Sequence, residues 1–152
     1  MNDRAFQPHV TVAAVVESAG EFLVVREYVN GVERINNPAG HLEDGESIEA
    51  ATRREVLEET GYHFEAEALG GVYVWRHPGG ETFVRFNVIG HCPGRDPAAE
   101  LDTGIIGPAW MTLEALEAAS GMLRSPLVTR SFREYGDGIR YPLDAVASLI
   151  ER

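Results

Sequence analysis

The stretch "RREVLEETG", Arg53 to Gly61, constrains this chain more than any other. It closes a segment from about Ser47 to Thr60 that reads as one helix. Ser47 is a suitable N-cap, Glu49 sits in the first turn where acids are favoured, and Gly61 is a natural C′ residue. Glu55, Glu58 and Glu59 stand at i, i+3 and i+4, so their side chains meet on one face. Like charges at that spacing cost ~0.2–0.5 kcal/mol per pair. Acids near a helix C-terminus cost roughly 0.3–1 kcal/mol each. At 100° per residue, Glu55 and Glu59 also share a stripe with Ile48 and Ala51, which faces the protein. The fold must therefore supply counter-charge inside. Arg53 and Arg54 offer part of it, and a hard divalent cation such as Mg²⁺ or Mn²⁺ would offer more. The competing reading is a solvated acidic face. It fits poorly with the inward stripe and the negative helix end.

The rest of the composition narrows the classes open to such a chain. Its 152 residues suffice for one domain, expected over 1–152, with a sizeable core. Cys92 is the lone cysteine, which excludes an intrachain disulfide and fits a reducing compartment. No basic-then-apolar leader and no long apolar run is present, so a cytoplasmic protein with no membrane partner is expected. A net charge of −11 argues against a broad basic face for a nucleic-acid polymer. All thirteen basic residues are arginine, which rules out a Schiff-base lysine or a P-loop lysine. Arginine suits bidentate phosphate contacts.

Along the chain, His9–Glu17 is β-branched and apolar, and "EFLVVRE" follows a turn at Ala19-Gly20. Asn30-Gly31 inside "VNGVERI" is a hairpin signal. "NNPAGHLEDGE" is a loop leading to the helix. "GVYVWR" and "ETFVRFNVIGH" flank His77–Gly80 as an antiparallel pair, followed by an irregular acidic loop from Cys92 to Gly104. "PAWM" predicts a short strand, and "TLEALEAAS" a helix opened by Thr112. "SPLVTRSFREYG" predicts a helix from Ser125, and "YPLDAVASLIER" a final helix with Pro142 in its first turn. This order suggests an α/β fold, a mixed sheet packed between helices.

The loop and the helix also form one pattern. Gly40 is followed by five residues, then Glu46, then seven residues, then "REVLEETGY". Residues 40–62 resemble the signature of the Nudix hydrolases, with Gly40, Glu46, Arg54, Glu55, Val56, Glu58, Glu59 and Gly61 in register. Tyr62 departs from the usual aliphatic residue. "PHVTVAAVV", "FLVV", "NGVERINNPAGHLE", "LRSPLV" and "GIRYPLD" extend the likeness toward a phosphatase branch of that family over nearly the whole chain. Ile35 stands where that branch carries a tryptophan, which bears on ring stacking.

The resemblance implies the Nudix fold, a mixed β-sheet sandwiched between α-helices. It also implies Mg²⁺-dependent hydrolysis (Mn²⁺ substituting) of small diphosphates: nucleoside di- and triphosphates, thiamine pyrophosphate or hydroxymethylpyrimidine pyrophosphate. The metal would be held by the Gly40 carbonyl, Glu55 and Glu59. Glu58 would bind a second metal or take a proton from water, and Arg54 with Glu46 would fix the cluster. Glu100 and Asp102 are alternative bases. Trp75 and Arg85 are candidate substrate contacts: Trp75 shares a strand face with Tyr73, and Phe83, Arg85 and Asn87 alternate along one face of the next strand. Arg124 and Arg140 bracket the predicted Ser125–Tyr135 helix, whose Val128, Phe132 and Tyr135 stripe should dock on the body. Two other functions remain: a triphosphate pyrophosphohydrolase that releases pyrophosphate, and a sensor with this fold that binds a nucleotide without hydrolysis. The partner is a small molecule in each case, and the protein a monomer or homodimer.

Overall fold

The structure, a computed structural model, describes residues 5–150. Seven strands and three helices follow the expected order. They are β1 (His9–Ser18), β2 (Glu21–Val29), β3 (Val32–Asn36), β4 (Ala39–His41), α1 (Ile48–Thr60), β5 (Glu65–Arg76), β6 (Thr82–His91), β7 (Ile105–Met111), α2 (Leu113–Ala118) and α3 (Leu127–Gly136). Both hairpin signals form two-residue turns. Ala19 and Gly20 have φ of 52° and 82°, Asn30 and Gly31 of 52° and 78°, the left-handed pair that matches strand twist.

The strands run in the order β3-β2-β1-β6-β5, with β4 paired to β1 and β7 to β2. β1 and β6 are parallel, from His9 opposite Phe83 to Val16 opposite Gly90, and the remaining pairs are antiparallel. The sheet is mixed, as expected.

Period-2 alternation sends successive residues of the central strands into two separate cores. Val15, Phe22, Val24, Ala68 and Ile89 pack with Leu116, Val128 and Phe132 on the α2–α3 side. Ala14, Val16, Leu23, Leu69 and Val88 pack with Val56 and Phe64 on the α1 side. Helices therefore cover both faces. Val128 and Phe132 are fully buried and Tyr135 partly so; Phe132 stacks on Phe22 at 4.2 Å.

Three local expectations change. No final helix forms among the described residues. Only Leu143–Ala145 make a 3-10 turn, because Tyr141 joins the free edge of β5 through two backbone bonds with Leu69, both 2.9 Å. Pro142 continues extended at ψ 139°, and the single turn already brings Leu143 and Val146 to the α1-side core. β5 starts at Glu65 and absorbs Gly70-Gly71 at an irregularity between Leu69 and Val72. α3 begins at Leu127, and the Ser125 hydroxyl accepts the Leu127 N–H at 3.1 Å.

Candidate active site

The site grows from the start of α1 to its end. The Ser47 hydroxyl accepts the Ala50 N–H at 3.0 Å, and Gly61, at φ 76°, returns its N–H to the Leu57 carbonyl. Between these caps Ala51, Thr52, Glu55, Val56, Glu59 and Thr60 form the buried face. Both predicted inward carboxylates are thus inside, each only 8% exposed.

Arg54 organises the cluster. Its Nε and Nη2 grip the Glu46 carboxylate in a fork of 2.7 and 2.9 Å, and Nη2 also donates to the His41 carbonyl at 2.9 Å. Its Nη1 donates to Glu55 at 2.8 Å and to Glu58 at 3.2 Å. One guanidinium therefore holds three glutamates and the strand carrying Gly40. The pair lowers the Glu46 pKa and raises that of Arg54. Arg53 instead lies outside, 3.5 Å from Glu49.

Gly40 faces the Glu55 carboxyl group so closely that a Cβ there would overlap its carbon and both oxygens. The neighbouring Ala39 N–H donates to Glu59 at 2.7 Å. Burial pushes the Glu59 pKa up to about 9 and raises that of Glu55 as well, with neighbouring acids adding to both. These two groups resist ionising unless a cation meets them.

Glu55, Glu58 and Asp102 can each point one oxygen to within 4.8 Å of the other two. Asp102 arrives from the loop after β6, tethered by its N–H to the Glu58 carbonyl at 3.0 Å. Of the two loop acids, Asp102 joins the cluster, while Glu100 is exposed and outside the trio. Glu59 also lies outside the trio, held back by Ala39. Three hard carboxylate oxygens brought together on a braced helix and loop, with Glu55 raised in pKa by burial, are a donor set that suits a hard divalent cation.

Beside the cluster opens a cleft of about 390 Å³. Ala39, Gly40 and His41 form one border, Trp75, His77 and Phe83 contribute rings, and Arg85 and Arg124 contribute charge. Trp75 lies 5.9 Å from Phe83 and edge-on to His77 at 5.5 Å, and His9 stacks on Phe83 at 4.8 Å. Tyr73, on the same strand face as Trp75, is instead buried with its hydroxyl bonded to Glu134. Arg140 does not border the cleft. The pairing of Tyr141 with β5 carries it to Glu67, 3.9 Å away. Ile35 is a core residue, 3% exposed, so its side chain cannot stack on a ligand. Its carbonyl accepts the Arg124 N–H at 2.8 Å and so fixes Arg124 at the cleft.

Glu27, Asn36 and Asn37 were not anticipated. Glu27 and Asn36 line the cleft, and Glu27 pairs with Arg124 at 2.6 Å. Asn37 is buried and bonds Ala14, Ser131 and Arg85, each at 3.1 Å. In the sequence both asparagines read as loop formers. Only the alternation Val25, Glu27, Val29 hints that Glu27 points inward.

A carboxylate cluster that a capped helix and one arginine hold together is an arrangement suited to a divalent cation. Residues 6–132 match the model of the NUDIX domain family, and the chain belongs to that family. It is a Nudix hydrolase of the phosphatase NudJ type. Phosphatase NudJ of Escherichia coli strain K12 is 41% identical over 141 residues, 93% of this chain and 92% of that protein. Phosphatase NudJ of Shigella flexneri shows the same identity and coverage. Among solved structures, a NUDIX hydrolase from Nitrosomonas europaea is 44% identical and superposes with a TM-score of 0.93, over 96% of this chain and all of that one. The MutT protein of Methanosarcina mazei Go1, 24% identical with a TM-score of 0.66, shares the fold. It covers 89% of this chain, which spans 97% of that one.

Proposed function

We propose that this chain hydrolyses small, ring-bearing diphosphates with Mg²⁺ and releases orthophosphate. The substrates in view are nucleoside di- and triphosphates, thiamine pyrophosphate and hydroxymethylpyrimidine pyrophosphate. The single observation that carries this reading is the convergence of Glu55, Glu58 and Asp102 beside the cleft, held by the Arg54–Glu46 fork. Glu55, Glu58 and Asp102 would hold the metal, with the Gly40 carbonyl and Glu59 next to them. A bound Mg²⁺ supplies charge for the phosphate oxygens and acidifies water. Arg54 keeps the carboxylates aimed and apart. Where Glu58, less buried than Glu55, leaves the metal to the other ligands, it would accept the proton of the attacking water, and Asp102 is the alternative acceptor. Trp75 offers a face for the substrate ring.

The other enzymatic reading, release of pyrophosphate from triphosphates, uses the same cluster and differs in which phosphorus is attacked. A sensor without hydrolysis does not need the full set of carboxylates that this chain keeps. The acidic surface disfavours a nucleic-acid polymer, and no helix of the described residues is long and apolar enough to cross a membrane. We place the protein in the cytoplasm as one domain, monomeric or homodimeric. A hydrolysis panel with added Mg²⁺ and product identification tests the reading. Orthophosphate from diphosphates supports it, pyrophosphate favours the second enzyme reading, and no turnover of any phosphoanhydride contradicts it.

A further inference from the structure

One buried group in the cleft is not explained by the carboxylate chemistry. Arg85, on β6, is 6% exposed and also lines the cleft. A buried guanidinium is expected to pair with a carboxylate, because an unpaired buried charge is costly. Arg85 makes no such pair among the described residues. Its Nη2 donates to two neutral amide oxygens, Asn37 at 3.1 Å and Asn36 at 3.5 Å. Its Nε is buried with no hydrogen-bond partner among the described residues. Nη1 donates to none of the described residues.

The nearby acids are engaged elsewhere. Glu59 is bonded to the Ala39 N–H, and Glu134 takes the Tyr73 hydroxyl and Arg130. A second cation, Arg124, is close enough to oppose the Arg85 charge, and it lines the same cleft with Ser125. Glu27 meets Arg124 but not Arg85. Asn37 is braced by Ala14 and by Ser131 of α3, so the Arg85 fork is held rather than mobile. Two converging guanidiniums with unused donors, in an otherwise acidic molecule, are arranged to receive an anion.

We propose that Arg85, with Arg124, forms a receptor for the terminal phosphoryl group of the substrate and for the orthophosphate it becomes. The identification of the anion as phosphate rests on the hydrolase reading. The receptor uses planar, bidentate arginine geometry, so it selects a tetrahedral oxyanion at the end of the substrate rather than its ring. Gly40 borders the same cleft as both arginines. Inorganic phosphate is then a ligand in its own right.

The test measures inorganic phosphate binding to the full chain in excess EDTA, by thermal shift and ³¹P line broadening, so no turnover is involved. Phosphate should raise the wild-type melting temperature in a dose-dependent way. Arg85→Met should abolish that rise while melting, without phosphate, no lower than the wild type, since it removes an unpaired buried charge. Arg85→Lys keeps the charge without the fork and should weaken phosphate binding by about tenfold. Arg124→Gln, at a half-exposed position, should weaken it as well. Absence of a phosphate response in the wild type overturns the proposal, as does an undiminished response in Arg85→Met or Arg85→Lys. Either failure leaves the hydrolysis panel free to succeed, and a failed panel leaves the phosphate response standing, so the two claims separate.

Discussion

Replacing Glu59 by glutamine should stabilise the metal-free protein, and by an amount that depends on pH. Glu59 is 8% exposed, and burial raises its pKa from 4.5 to about 9. A carboxyl whose folded pKa lies above its unfolded one contributes stability that is fully present below the unfolded value. That contribution is lost as pH rises through the folded value. From pH 4.5 to pH 8 the loss from this one group reaches ~5 kcal/mol at most, at 1.36 kcal/mol per pH unit. Relaxation around a buried charge reduces such figures, so about 2–4 kcal/mol is expected in practice. Glutamine keeps an oxygen for the Ala39 N–H and never ionises. At roughly 2–4 °C per kcal/mol for a chain of this size, Glu59→Gln should melt about 5–15 °C above wild type at pH 8. Near pH 5 the two should differ by little. Differential scanning fluorimetry in EDTA from pH 5 to pH 8 makes the comparison. A glutamine variant no more stable than wild type at pH 8, or a difference that does not change with pH, would refute the reasoning. Added Mg²⁺ should then stabilise wild type more than the variant, since only the wild type offers the full charge.

Gly40→Ala places a methyl group on the Glu55 carboxyl group. It should leave a folded protein with Mg²⁺-dependent stabilisation and hydrolysis largely lost, measured by thermal shift and phosphate release. Asp102→Asn should lower turnover at least tenfold, while Glu100→Gln should stay within about twofold of wild type, because only Asp102 reaches the carboxylate cluster. Phe132→Ala empties a fully buried site stacked on Phe22 and should cost about 3–5 kcal/mol in urea denaturation, with the KM of the remaining folded enzyme little changed.

The parts legible in the sequence are those fixed by local periodicity and backbone chemistry. Ala19-Gly20 and Asn30-Gly31 marked two turns, and Ser47 and Gly61 marked both ends of α1. The stripe Ile48, Ala51, Glu55, Glu59 places two acids inside, because helical spacing alone decides which side chains share a face. What eluded the sequence depends on contacts between distant segments. Arg85 meets Asn37 across 48 positions, and Arg124 meets Glu27 across 97. Asn36 and Asn37 look like loop residues, since the same amides that form turns also bind guanidinium groups. The helix expected after Tyr141 failed because the backbone there found partners on the β5 edge, which no local pattern reveals. Arg140 went with it, away from the cleft.

The central claim is that the arginine-braced carboxylates of α1 carry out metal-assisted hydrolysis of a diphosphate. It is tested most directly by steady-state release of orthophosphate from a small diphosphate at saturating Mg²⁺, comparing wild type with Glu55→Gln. The Glu55 carboxylate is held by Arg54 and pressed against Gly40, so the amide should fold normally. Loss of one metal-holding carboxylate costs several kcal/mol in the transition state, so turnover should fall by roughly two orders of magnitude or more. Chelation should reduce the wild type to background. A Glu55→Gln enzyme that retains more than about a tenth of wild-type turnover, or a wild type fully active in excess EDTA, would contradict the account.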